Sequence, residues 1–82
     1  MTLTNNISVI FKESLNGVVY ALCQIEIFGY VKYALAIIGD TDADIEFIDT
    51  ERETAEKFFL KATEYGLSPI HLKDAINDYL LD

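Results

Sequence analysis

The chain is predicted to be an α+β domain, a four-stranded antiparallel β-meander followed by two helices packed on one face of the sheet. Three features predict it. Apolar residues alternate with a period of two through four segments ending at Ile48, the period becomes helical from Thr50 onward, and every joint is short. Short joints require antiparallel neighbours, because a parallel crossover needs a dozen residues or more.

The strands are expected at Ile7 to Ser14, Val18 to Ile27, Val31 to Ile38 and Asp44 to Ile48. Register follows from which side chains must share a face, since a slip of one residue moves every apolar group to the other side. A two-residue Asn16-Gly17 turn would set Ile7, Val9 and Phe11 across from polar Gln24 and Glu26. A three-residue loop, Leu15 to Gly17 with Gly17 left-handed, instead opposes Phe11 to Ala21, Val9 to Cys23 and Ile7 to Ile25, and is preferred. By the same test Ile27 pairs with Val31, which sets Ile25 beside Tyr33, Cys23 beside Leu35, and Glu26 opposite Lys32. A three-residue loop there asks Tyr30, not Gly29, to turn left-handed, which leaves the turn type open.

The core wall expected from these registers is odd-numbered: Ile7, Val9 and Phe11, then Val19 to Ile27, then Val31 to Ile37, joined by Ile45 and Phe47. The reverse of the sheet carries Ser8, Lys12, Gln24, Glu26 and Lys32 toward one end. Toward the other it carries Ile10, Val18, Tyr20, Leu22, Ala34, Ala36 and Ile38, too apolar for an ordinary solvated face.

In the helical half, Thr50 and Glu53 have the spacing of a capping box, and Ala55, Phe58, Phe59, Ala62 and Tyr65 form one stripe. Gly66 is the expected left-handed stop, with Leu67 supplying the accompanying apolar contact. Ser68 and Pro69 begin the second helix as N-cap and first helical residue, and Leu72, Ala75, Ile76, Tyr79 and Leu80 face inward. This helix carries His71 and Lys73 in its opening turns. Asp74, Asp78 and Asp82 form a carboxylate ridge toward the negative end of its dipole, a conflict costing roughly 0.2–1 kcal/mol per group.

With 82 residues, 51% of them hydrophobic, residues 1–82 are expected to form a single domain with one modest core. Cys23 is the only cysteine, which suits a reducing cytoplasm, and its apolar neighbours make it a core filler. The opening MTLTNNISVIF lacks the pattern of a secretory signal, and Gln24, Glu26, Gly29 and Lys32 interrupt the longest apolar region, so no membrane span is expected. The net charge of −8 falls entirely in residues 40–82, which disfavours binding to nucleic-acid phosphates.

The segment SPIHLKDAINDYL, with Pro69, Leu72, Asp74, Asp78, Tyr79 and Leu80, resembles the C-terminal end of a family of small bacterial proteins, mainly from Gram-positive anaerobes, that form a domain of unknown function. The resemblance is best over about the last fifteen residues and looser in the strand half. It implies that the acidic helix is a family feature, and it implies no catalytic residues.

Chemistry-bearing patterns are sparse. Asp40, Asp42, Asp44 and Glu51 have the spacing of calcium-loop ligands, but Ile45 stands where that loop needs glycine, and a charged hairpin loop is the expected state. Ser68, His71 and Asp74 have the residue types of a triad, yet Ser68 is expected to spend its oxygen as a cap. The glycines mark separate turns. No enzyme, cofactor or metal is expected.

The sequence therefore points to a small acidic cytoplasmic module for protein interaction or regulation, with a homodimer as one expected form, burying Ile10, Tyr20, Leu22, Ala36 and Ile38. The alternative is an acidic inhibitor or nucleic-acid mimic. It would offer Asp74, Asp78 and Asp82, with Glu64 and the Asp40 to Asp44 loop, to a basic protein.

Overall fold

The computed structural model describes residues 6–81, with side chains described for residues 6–79. Four strands, β1 (Asn6–Leu15), β2 (Val18–Ile27), β3 (Tyr30–Ile38) and β4 (Ala43–Ile48), form one antiparallel sheet in the order β1-β2-β3-β4. Helix α1 (Arg52–Tyr65), a 3-10 turn (Pro69–His71) and helix α2 (Leu72–Leu81) follow. The predicted fold, a meander with two C-terminal helices, is the one that forms.

Both tight hairpins turn in two residues, not three. Asn16 and Gly17 have φ of 53° and 80°, and Phe28 and Gly29 have φ of 51° and 81°. Two successive left-handed residues make the type I′ turn, whose twist matches that of the flanking strands, and Asn-Gly is its preferred sequence. Leu15 consequently pairs with Val18, and Ile27 with Tyr30. The three-residue Leu15 to Gly17 loop and the Ile27 to Val31 pairing are both corrected.

The mismatch that disfavoured the two-residue turn is resolved by a β-bulge. Val9 pairs with Cys23 and Phe11 with Leu22, so Ile10 is an extra residue in β1. Ile10 and Phe11 both turn toward the helices, where Ile10 packs against the core and the Phe11 ring stacks on Phe59 at 5.6 Å. Residues before the bulge switch faces, and Ile7 and Val9 no longer oppose Gln24 and Glu26.

Directly paired residues share a face, so the sheet reads as cross-strand rows. On the helix side lie Glu13-Tyr20-Ile37-Asp44, Phe11-Leu22-Leu35-Glu46 and Ser8-Gln24-Tyr33-Ile48. On the opposite side lie Ser14-Val19-Ile38-Ala43, Lys12-Ala21-Ala36-Ile45 and Val9-Cys23-Ala34-Phe47, with Ile7-Ile25-Lys32 beyond them. Strand β3 therefore keeps its predicted orientation, whereas β2 and β4 are inverted. Leu22 faces the helices, and Cys23 faces away.

Helix α1 lies over β2 and β3, and α2 with its preceding 3-10 turn lies over β4. The core joins Tyr20, Leu22, Leu35, Ile37 and Ile48 to Ala55, Phe58, Phe59, Ala62, Leu72 and Ile76. Burial of each of its larger side chains contributes about 1.5–3 kcal/mol. Tyr20, 2% exposed, donates its hydroxyl hydrogen bond to the Leu67 carbonyl oxygen at 3.0 Å, tying β2 to the joint between the helices.

Helix α1 stops as predicted. Gly66 has φ 64°, its N–H donates to the Thr63 carbonyl at 3.3 Å, and the Leu67 N–H donates to Ala62 at 3.0 Å, the paired bonds of a Schellman ending. Neither helical start makes the predicted side-chain cap bond. Glu51, not Thr50, is the N-cap of α1 and makes no side-chain cap bond; Thr50 lies one residue earlier, in a turn closed by its N–H to the Ile48 carbonyl at 2.9 Å. Ser68 occupies the cap position before Pro69, also without a side-chain cap bond.

Candidate interaction surfaces

The inversion of β2 and β4 moves the candidate surface. Of the patch predicted from sequence, Tyr20 and Leu22 are in the core at 2% and 0% exposure, and Ile10 packs against it at the bulge. Only Ala36 and Ile38 lie on the open side of the sheet. The physical reason is side-chain volume. In β2 both faces are apolar, but the even positions carry Tyr20 and Leu22, large enough to reach the helices, while the odd positions include Ala21 and Cys23.

Part of the expected core wall, Ile7, Val9, Ile45 and Phe47 among it, instead joins Ile38 on the open face. Ile7, Val9, Ile38, Ile45 and Phe47 stand there 49–68% exposed. The large exposed side chains on β1 and β4 flank a low centre of Ala21, Cys23, Ala34 and Ala36. A depression of about 370 Å³ lies at the β3–β4 end, lined by Ala36, Ile38, Ala43 and Ile45 with Asp44 at its rim. The signal that could have located this face was the Asn16-Gly17 dipeptide, whose preference for a two-residue turn outweighs the apparent polar mismatch.

Charge is sorted across the sheet. Every strand carboxylate, from Glu13 and Glu26 to Asp44 and Glu46, falls in a row on the helix side. The open face carries only Lys12 and Lys32 as charged strand residues, and the Lys32 ammonium sits 6.0 Å from the Phe47 ring centroid. At the sheet margin, a hydrogen bond to Asp44, then burial and repulsion by that same carboxylate, pushes the Glu46 carboxyl above its ordinary range, against the pull of Lys73. Burial likewise pushes the Cys23 thiol up, the opposite of what a nucleophile requires.

The second predicted surface is partly described. Asp74 and Asp78 are exposed on α2, and Glu64 is exposed on α1; Asp82 lies outside the described residues. Among the described residues the ion pairs are Arg52–Glu56 at 2.7 Å and Lys57–Glu53 at 3.4 Å, so neither Asp74 nor Asp78 is in one. Asp78 lines a groove of about 310 Å³ between the helices with Phe58, Lys61, Tyr65, Leu67 and Tyr79. The groove's own cation fills part of it, because the Lys61 ammonium lies 5.5 Å from the Tyr79 ring centroid.

Among the described residues no three potential metal ligands converge, and the acidic loop closes on itself through the Gly39 N–H to the Asp42 carbonyl at 2.8 Å. No helix among the described residues is long and apolar enough to cross a membrane. Comparison with known proteins finds no matching protein family, no similar curated protein and no similar solved structure.

Proposed function

We propose that the chain is a small acidic cytoplasmic module for protein interaction or regulation, without catalytic activity, and that it acts through the open face of its sheet. One observation carries this reading: an apolar sheet face spans all four strands, holds no strand carboxylate in a chain of net charge −8, and has no layer packed on it among the described residues. A sheet apolar on both faces ordinarily has both covered.

Site-specific photo-crosslinking in the producing cell tests it. A photoreactive residue at position 45 should give protein adducts, and one at position 60 on the solvent side of α1 should not. Equal labelling from both positions, or none from position 45, would end the proposal.

A second reading is favoured by the exposure of Asp74 and Asp78 outside any described ion pair: an acidic inhibitor or nucleic-acid mimic bound to a basic protein surface. Such capture weakens steeply with salt. A partner retained after Asp74→Asn and Asp78→Asn together would remove this alternative.

A further inference from the structure

We infer that the partner on the open face is a second copy of this chain, packed sheet on sheet about a two-fold axis. The inference rests on the reading of that face as the working surface and names what covers it. Three observations favour a second copy over a lone helix, an added strand or a lipid surface.

The first is extent. Four strands at a spacing of about 4.8 Å place the exposed side chains of β1 and β4 roughly 14 Å apart, with the face running roughly 25 Å along the strands. A single helix, about 10–12 Å across, would sit over the alanines of the centre and leave the outer flanks of Ile7 and Ile45 in water. The apolar area offered is on the order of 600–800 Å² per copy, comparable to the ~800 Å² each partner gives to a stable interface. A second sheet of the same width covers both edges at once.

The second is charge. Two chains of −8 repel in most orientations. Face to face, they meet where neither presents a strand carboxylate, and each sheet stands between the acidic sides. At physiological salt, charges separated by more than about 8 Å are largely screened. An anionic lipid surface would attract Lys12 and Lys32 but would meet the rest of the acidic chain.

The third is the edge. Extension of the sheet at either edge is the competing mode of self-association; the bulge at Ile10 interrupts β1 and increases its twist, and β4, the other edge, is only six residues long and carries Asp44 and Glu46. The face remains the continuous apolar surface. Two sheets about 10 Å apart, their strands crossing at about 30°, would let Ile45 and Phe47 of each copy seat over the low Ala21, Cys23, Ala34 and Ala36 centre of the other.

Analytical ultracentrifugation of the full chain from about 1 to about 500 µM tests this over the range where an interface of this size shows itself. The expected result is a reversible monomer–dimer equilibrium that holds or tightens as salt rises. Phe47→Lys should weaken it by about tenfold or more, while circular dichroism and thermal unfolding of the monomer stay unchanged. Val9→Lys is the second variant, should Phe47→Lys disturb the fold, and Leu60→Lys on α1 should leave the dimer intact. A chain that stays monomeric at the highest concentration, or a dimer indifferent to both face variants, overturns the inference. Adducts from position 45 to a different protein, with the chain itself monomeric, would overturn the second copy and keep the interaction module. Absence of both adducts and dimer would overturn the two together.

Discussion

The two faces of the sheet are drawn from the same four strands, and the face with fewer polar residues is the open one, yet the other is the core. What separates them is the distribution of bulk. On the helix side, Tyr20, Leu22, Leu35 and Ile37 are adjacent and fill the space under α1 and α2. On the open side, the corresponding central positions are Ala21, Cys23, Ala34 and Ala36, and the large side chains stand at the margins. A layer of helices is packed where bulk is central, because close packing with few voids is what stabilises a core. Apolarity alone does not select the face.

The sharpest way to break this comparison is to remove the same kind of side chain from each face. Leu22→Ala should cost about 3–5 kcal/mol in urea unfolding of the monomer, whereas Phe47→Ala on the open face should cost under about 1 kcal/mol. Equal losses would mean that the faces are misassigned. Tyr20→Phe should cost about 1–2 kcal/mol, because it removes the hydroxyl and leaves the Leu67 carbonyl without that partner. A change within measurement error would show that the bond contributes nothing to holding the helix joint to β2.

Turn chemistry gives a stabilising test. Phe28 holds φ 51° while 69% exposed, a conformation that a bulky side chain adopts at a cost. Phe28→Asn should therefore stabilise the fold by about 0.5–1 kcal/mol, read as a higher melting temperature, and a decrease would mean that the ring is packed against something. The smallest effect concerns Glu46. Its carboxyl is held above its ordinary range, so the folded state binds that proton more tightly than the unfolded state. The resulting penalty is present in full above the folded-state pKa and is relieved as pH falls through it. Glu46→Gln should raise stability at neutral pH by under about 0.5 kcal/mol, since solvent screens this partly exposed pair, and should flatten this part of the acid profile. A loss of stability at neutral pH would mean that Lys73 holds Glu46 more strongly than Asp44 repels it.

Much of the architecture was legible in particular residues. Gly66 and Leu67 announced the end of α1, Pro69 announced the second helical segment, and the alternation in β3 located Tyr33, Leu35 and Ile37 correctly. The candidate surface was legible as a prediction that the sheet has two apolar faces, and illegible in its membership. Ile7, Val9, Ile45 and Phe47 were assigned to the core, and Tyr20 and Leu22 to the surface. Two preferences, a three-residue loop over the Asn16-Gly17 turn and the Ile27 to Val31 pairing, inverted β2, and β4 was assigned by Ile45 and Phe47 with no pairing to β3 to fix it.

By itself the sequence determined the order of the elements, their antiparallel pairing, the places where the chain turns, the stop of α1, and the concentration of negative charge in residues 40–82, because each depends on neighbours within a few positions. The side of β2 that became the core was decided only by the tertiary structure. Both sides of that strand are apolar, so the choice depended on whether Tyr20 and Leu22 could meet the helices more than thirty residues away, and on a single extra residue, Ile10, that let β1 serve both faces. Volume matching of that kind is a property of the assembled layers, and no local pattern contains it.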